Sequence, residues 1–327
     1  MSLERHFPEV MKEGLPLAAA RNGGSKPIHS EANSTHTPFE LVHKKKFNFK
    51  ENFFISLITT LGFTGAVALV VILFFVAYNG IRVLSWEFIT QSPIQSMTKG
   101  GIFPVIVGTV LLTMICMIMV IPVGVTTAIF LAEYSKPGLL LNMVNMSIYT
   151  LAGVPSVVFG LFGLTVFVIT FHFGMSLIAG SFTLAIMVLP YIISTAEEAI
   201  KTVPYSFREA SLACGTTKWQ TIRRVVLPTA LPGILTGAIL GTAKVSGETA
   251  PIMFTAAAFF TPGIPRSIFE PVMALPYHIY VLATAGTNIE ATRPIQYGTA
   301  LTLIVLVLGM NLLGIILRSR QRGGRAW

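Results

Sequence analysis

Aspartate is missing altogether: each of the 14 acidic residues of this 327-residue chain is Glu. Motifs that hold magnesium or perform hydrolysis through Asp are therefore excluded. Cysteine is scarce too. Cys116 falls in a long apolar run and Cys214 in a polar stretch, so no disulfide is expected and both read as small apolar fillers. There is no Gly-x-x-x-x-Gly-Lys-[Ser/Thr] phosphate loop, no His-Glu-x-x-His and no Cys/His cluster, so neither ATP hydrolysis nor a metal or other cofactor is expected of this chain. Charge is the scarcest property: charged residues make up 11% and hydrophobic residues 53%. A soluble domain carries about a quarter charged residues. No soluble fold of this length hides so much apolar surface, because surface area grows too fast with size. A lipid-facing surface removes the difficulty, so the partner of first resort is a bilayer and not nucleic acid.

Apolar runs carry the organisation. A crossing helix needs about 20 apolar residues. Six stretches meet this, at 53–78, 102–132, 146–171, 175–194, 229–250 and 297–317. The segment 137–196 carries no charge and is long enough for two spans, with His172-Phe173-Gly174 as the turn between them. The expected fold is all-α, a polytopic membrane protein with six transmembrane helices. Residues 1–48 lack hydrophobic periodicity and end in Lys44-Lys45-Lys46, which reads as a disordered basic tail. No apolar run precedes Phe53, too late for a cleavable signal. With the N-terminus inside, the tail, the loop at Lys136, the loop 195–228 and the basic tail 318–327 hold 18 of the 23 Lys and Arg, and the outer loops, 79–100 among them, hold only 4. The positive-inside bias then puts both termini in the cytoplasm. Trp86, Tyr277 and Tyr280 fall where an interfacial aromatic belt is expected.

The loop 195–228 is the most informative part. Ser206 can cap a short helix, with Glu209 at capping-box spacing. Gly215 stands where that helix would end in a left-handed residue. Trp219, Ile222 and Val226 share one face of a second amphipathic helix, and Pro228 marks re-entry into the membrane. Such a helix–turn–helix either presses into a groove on a partner protein or lies on lipid headgroups. The pattern alone leaves both open.

Glu209-Ala210-Ser211-x-x-x-Gly215, then nine residues, then Val225-x-Leu227-Pro228, resembles the loop of ABC importer permeases written Glu-Ala-Ala-x3-Gly-x9-Ile-x-Leu-Pro. The departures are Ser211 for Ala and Val225 for Ile. The resemblance implies a type I importer permease fold, a coupling helix that docks on an ATP-binding cassette dimer, and Arg208, Glu209, Ala210 and Gly215 as its coupling residues. In the fifth span, Lys244 lies roughly 20 Å into the bilayer at about 1.5 Å per residue. Intramembrane charges are costly and mark pathways. Lys244 and Glu248 are four apart and can pair on one helix face, so a self-neutralising structural pair is the other reading. Gly247 and Pro251 favour a helix break, whose exposed backbone suits anions.

Gly247-Glu248-Thr249-Ala250-Pro251 resembles the corresponding stretch of the PstA-type subunit of bacterial phosphate importers, and Leu151–Gly163 resembles a stretch shared by both permease subunits of those importers. That family usually has Arg where this chain has Lys244. The resemblance covers residues 50–318. It implies a permease subunit for inorganic phosphate in the inner membrane, a PstC-type second permease and an external phosphate-binding protein, with Lys244, Ser246, Glu248, Thr249 and Ser156 on the substrate path. Sulfate or molybdate as cargo, or a non-transporting membrane scaffold or sensor, remain alternatives.

Overall fold

The computed structural model describes residues 49–94, 97, 99–261, 263–285 and 289–322. The tails 1–48 and 323–327 lie outside these. The chain divides into two compact units, residues 1–59 and 60–327. Of the first, 49–59 are described, and they form the opening turns of a helix.

Helices dominate because a backbone in hydrocarbon must satisfy its own hydrogen bonds. Helix α1 runs Phe49–Gly80. A short α2 (Trp86–Thr90), capped by Ser85, and a hairpin of β1 (Pro93–Ile94) on β2 (Lys99–Gly100) fill the following connection. Then come α3 (Phe103–Tyr134), α4 (Leu139–Ala152), α5 (Ser156–Thr170), α6 (Leu177–Lys201), α7 (Tyr205–Ala213), α8 (Lys218–Ser246), α9 (Ala250–Thr255), α10 (Leu275–Thr284) and α11 (Ile289–Arg322). Five helices among the described residues are long and apolar enough to cross a membrane, and α4 with α5 makes a sixth, bent by 98°.

That bend corrects the expected span 146–171. Proline at 155 removes the donor its turn needs and disfavours helix at Val154, so the helix stops at Ala152 and restarts at Ser156. Two further expectations are corrected. The second amphipathic helix of the loop is not separate: from Lys218 it runs unbroken into the fifth span. Pro228 does not interrupt it, because a wider π turn at Ile222–Val226, closed by Leu227 N–H to Ile222 O, absorbs the missing donor. The Ser206–Glu209 capping box does not form. Pro204 takes the cap position of α7, whereas the box closes at Thr217 and Gln220, the first residues of α8's cap.

Proline recurs inside these helices with a hydroxyl four residues on. Thr126, Ser194, Thr236 and Thr255 each donate to the carbonyl of Pro122, Pro190, Pro232 and Pro251, at 2.7 to 3.0 Å. Away from water these hydroxyls have few other acceptors, and such back-bonding bends helices gently. The core joins α3, α6, α8 and α9 around Leu112, Cys116, Val188, Ile192, Val245 and Ile252. Lipid tails are as apolar as these side chains, so close packing holds the bundle rather than hydrophobic burial. Gly160 shows the requirement: a Cβ there would stand 2.9 Å from the Phe254 ring and 3.0 Å from the Ala250 carbonyl. At the start of α6 the free N–H groups of Leu177 and Ile178 are taken by the carbonyls of Glu270 and Ile268, both at 2.9 Å.

Candidate functional site

Two regions answer to the sequence motifs. The first is α7 and its turns. Glu209 and Ala210 are exposed on α7, and none of the helix's residues is buried. Tyr205 and Leu212 of α7 and Trp219 of α8 are exposed as well. Gly215 ends the helix at φ +78, with its N–H on Leu212 O, a conformation that disfavours a side chain. Ser211, Thr216 and Thr221 form a hydroxyl triangle with sides of 2.8, 3.0 and 3.0 Å, which ties α7 to the first turn of α8.

Arg208 faces the other way. Its Nε and Nη2 donate to Glu133 Oε1 at 3.0 and 2.7 Å, and its Nη2 and Nη1 to the carbonyls of Ile200 and Val203 at 3.0 and 2.6 Å. Glu133 sits in a π turn, Phe130–Tyr134, whose extra residue re-aims it from the regular helix. Beside the pair opens a cleft of about 590 Å³ lined by Glu133, Lys201, Tyr205, Arg208, Leu212 and Lys218. Nothing in the sequence marked Glu133, which lies 75 positions from Arg208. The signal that could have found it is a lone Glu at the end of an apolar span.

The second region is the break between α8 and α9. Helix α8 stops at Ser246 and α9 begins at Ala250, leaving Gly247, Glu248 and Thr249 outside regular helix. Facing it is the other break, where α5 starts at Ser156. Ser156 and Lys244 both lie near enough to the Glu248 carboxylate to act on it. No direct Lys244–Glu248 ion pair forms: among the described residues the ion pairs are Lys201–Glu197 and Arg208–Glu133. The break takes Glu248 out of the four-residue register that the pair required. Lys244 is exposed and stands over the Tyr191 ring, with Nζ 6.0 Å from its centroid. Ser246 also bonds toward α3. It is buried, its Oγ is 3.2 Å from Thr113 Oγ1, and it donates to Thr242 O at 2.7 Å. The sequence-predicted set therefore divides: Lys244, Glu248, Thr249 and Ser156 gather around the breaks, and Ser246 holds α8 against α3. The void beside Ser246 and Glu248 measures only about 10 Å³. Tyr191 and Thr113 carried no sequence signal, being ordinary residues of apolar helices. Among the described residues no group of His, Cys and acidic side chains could hold a metal ion.

Comparison with known proteins fits this geometry. The model of the family described as "Binding-protein-dependent transport system inner membrane component" matches residues 124–322. A probable ABC transporter permease protein, YqgI of Bacillus subtilis, is 34% identical over 258 residues, covering 76% of this chain and 87% of its own. The phosphate transport system permease protein PstA of Mycobacterium leprae is 37% identical over 235 residues, covering 71% and 75%. That of Xylella fastidiosa is 30% identical over 242 residues, covering 74% and 84%. Among solved structures, a bacterial alginate ABC transporter chain aligns with TM-score 0.58 at 14% identity, over 82% of this chain and 95% of that one. A chain of the MetNI methionine ABC transporter aligns with TM-score 0.52 at 20% identity, over 68% and 94%. These two share the type I permease fold. The chain belongs to the inner-membrane components of binding-protein-dependent transport systems, as an ABC permease of the PstA type.

Proposed function

We propose that this chain is one half of the membrane pathway of an ATP-driven importer of inorganic phosphate. One observation carries the reading: a single chain joins an exposed, tethered α7 to a broken intramembrane helix that bears Lys244 and Glu248. The relatives' names supply the cargo. ATP binding and hydrolysis belong to a cassette dimer that grips α7 in the cytoplasm through Glu209, Ala210 and the turn at Gly215. A single α7 serves one ATP-binding subunit, so a second permease chain, of PstC type, completes the pathway. A phosphate-binding protein delivers substrate from the outer side. Both termini lie in the cytoplasm, in keeping with the Lys and Arg bias.

The chemistry at the breaks suits a tetrahedral anion passing through. The Lys244 ammonium supplies one positive charge as a compact, strongly hydrated donor, which attracts phosphate without clamping it bidentately. Ser156 and Thr249 offer hydroxyl donors beside it. Glu248, beside the ammonium, keeps it from binding the anion too tightly to release. Movement of α7 tilts α3, α6 and α8 and switches access to this place from one side to the other.

Uptake of labelled phosphate and sulfate by cells or proteoliposomes holding the whole transporter tests the reading. Lys244→Met should cut phosphate uptake by roughly tenfold or more, the scale of a lost charged hydrogen bond, and Lys244→Arg should keep most of it. Phosphate uptake untouched by Lys244→Met would refute the site. Sulfate carried in place of phosphate would refute the cargo.

A further inference from the structure

We propose that the Arg208–Glu133 ion pair is the strut by which α7 moves the transmembrane bundle, so that both are positioning residues for coupling and not contacts with the ATP-hydrolysing partner. This rests on the permease reading above.

Helix α7 buries none of its residues and is joined to α6 and α8 by non-helical turns at 202–204 and 214–217. A pull on so loosely seated a helix would be absorbed by those turns unless a stiff link carried it onward. Three links to the bundle stand out. Phe207 packs on the apolar cluster that includes Ala128, Ile200 and Val226. The Ser211–Thr216–Thr221 triangle reaches α8 through neutral hydrogen bonds. Arg208 is the one of the three that joins α7 to both α3 and the end of α6 through charged hydrogen bonds. One planar guanidinium donates to Glu133 on α3, to the carbonyl of Ile200 in the last turn of α6 and to that of Val203 just beyond it. The two side chains are only 14% and 9% exposed, so water competes little for these bonds. A planar guanidinium held by several bonds at once resists rotation as well as extension, which a single hydroxyl contact does not.

The far end of the link is also suited to transmit. Helices α3 and α6 pack on each other more extensively than any other pair, and α8, which carries Lys244, packs on α6. A displacement delivered at Glu133 and the end of α6 therefore reaches the helix that bears the charged break. The guanidinium and the carboxylate are committed to each other and to the end of α6, which leaves Glu209 and Ala210 as the exposed residues of the motif.

The test uses the whole transporter in proteoliposomes with Glu133→Gln, Glu133→Asp and Arg208→Lys. Two quantities are read: phosphate moved per ATP hydrolysed, and the spin-label distance between Cys214 and a cysteine placed at Val123 on α3. In the parent protein ATP should leave that distance unchanged, since α7 and α3 move as one. In Glu133→Gln, ATP hydrolysis should continue, phosphate moved per ATP should fall roughly tenfold, and ATP should lengthen and broaden the distance. Glu133→Asp, which keeps the charge, should recover most of the ratio. An unchanged ratio with an unchanged distance in Glu133→Gln would overturn the proposal. So would a parallel loss of assembly, hydrolysis and uptake in the Gln and Asp variants alike, which marks a folding role only. The distance depends on ATP alone, so it judges the strut even if the parent protein moves an anion other than phosphate.

Discussion

Ser211 stands where the importer loop carries its second alanine, and its hydroxyl closes a triangle with Thr216 and Thr221. Returning it to the family residue should be mild. In Ser211→Ala the two threonines keep their 3.0 Å bond to each other, and the loss should be about 1–2 kcal/mol, the net worth of the two hydrogen bonds at the Ser211 hydroxyl. Ser211→Val should cost more, because branched bulk enters a part-buried junction; thermal unfolding in detergent ranks the two. Gly215 asks for more respect, since its φ is +78. Gly215→Ala should cost about 1–2 kcal/mol for the left-handed conformation alone, and Gly215→Asn should cost less. Nothing of this chain lies within 4 Å of a Cβ at that position, so the loss of stability comes from backbone shape and not from a clash inside the chain. Arg208→Ala leaves a largely buried Glu133 without its partner, and a broken buried pair costs about 3–5 kcal/mol. The same melting assay should rank it well below both Ser211 variants.

At the scale of elements, the two breaks belong together. Pro155 ends α4 and Gly247 with Pro251 divides α8 from α9, and the helices that restart, α5 and α9, meet at Gly160. Gly160→Leu should therefore wedge α5 away from α9 and disturb the Ser156–Glu248 contact. Phosphate uptake should fall while α7 still binds its ATP-hydrolysing partner, which co-purification with that partner and an uptake assay together would establish. Both breaks were spelled locally in the sequence, as Gly-x-Pro and Gly-x-x-x-Pro. Even so, 146–171 reads as one crossing, because an apolar run carries no record of the direction of its backbone. The loop held the converse error. Pro228 reads as a boundary, yet a π turn lets α8 pass through it, and that turn depends on bonds made across several residues rather than on one. What sequence spacing fixed well was short-range: the motif's Gly215 and the exposed Glu209 and Ala210 all sit on or beside one helix. What it could not give was long-range, such as Glu133 for Arg208, Thr113 for Ser246 and Tyr191 for Lys244. Those partners are commonplace residues until folding brings them together.

For the molecule as a whole, composition alone demanded a bilayer, and the crossing helices answer that demand with strongly apolar, outward-facing surfaces such as that of α1. The proposed orientation rests on charge: Lys and Arg concentrate in the segments that include α7 and both tails. Everything proposed for coupling requires α7 to lie in the cytoplasm against an ATP-hydrolysing subunit. The chain carries its own probe for this, since Cys214, at the end of α7, is exposed and Cys116 is buried. The most direct measurement is thiol-directed labelling and cross-linking from Cys214 in membrane vesicles holding the complete transporter. A membrane-impermeant maleimide should modify Cys214 in inside-out vesicles only, and a short cross-linker should join it to the ATP-binding subunit. Modification of Cys214 from the outer face, or failure to join that subunit in an intact complex, would contradict the coupling role of α7.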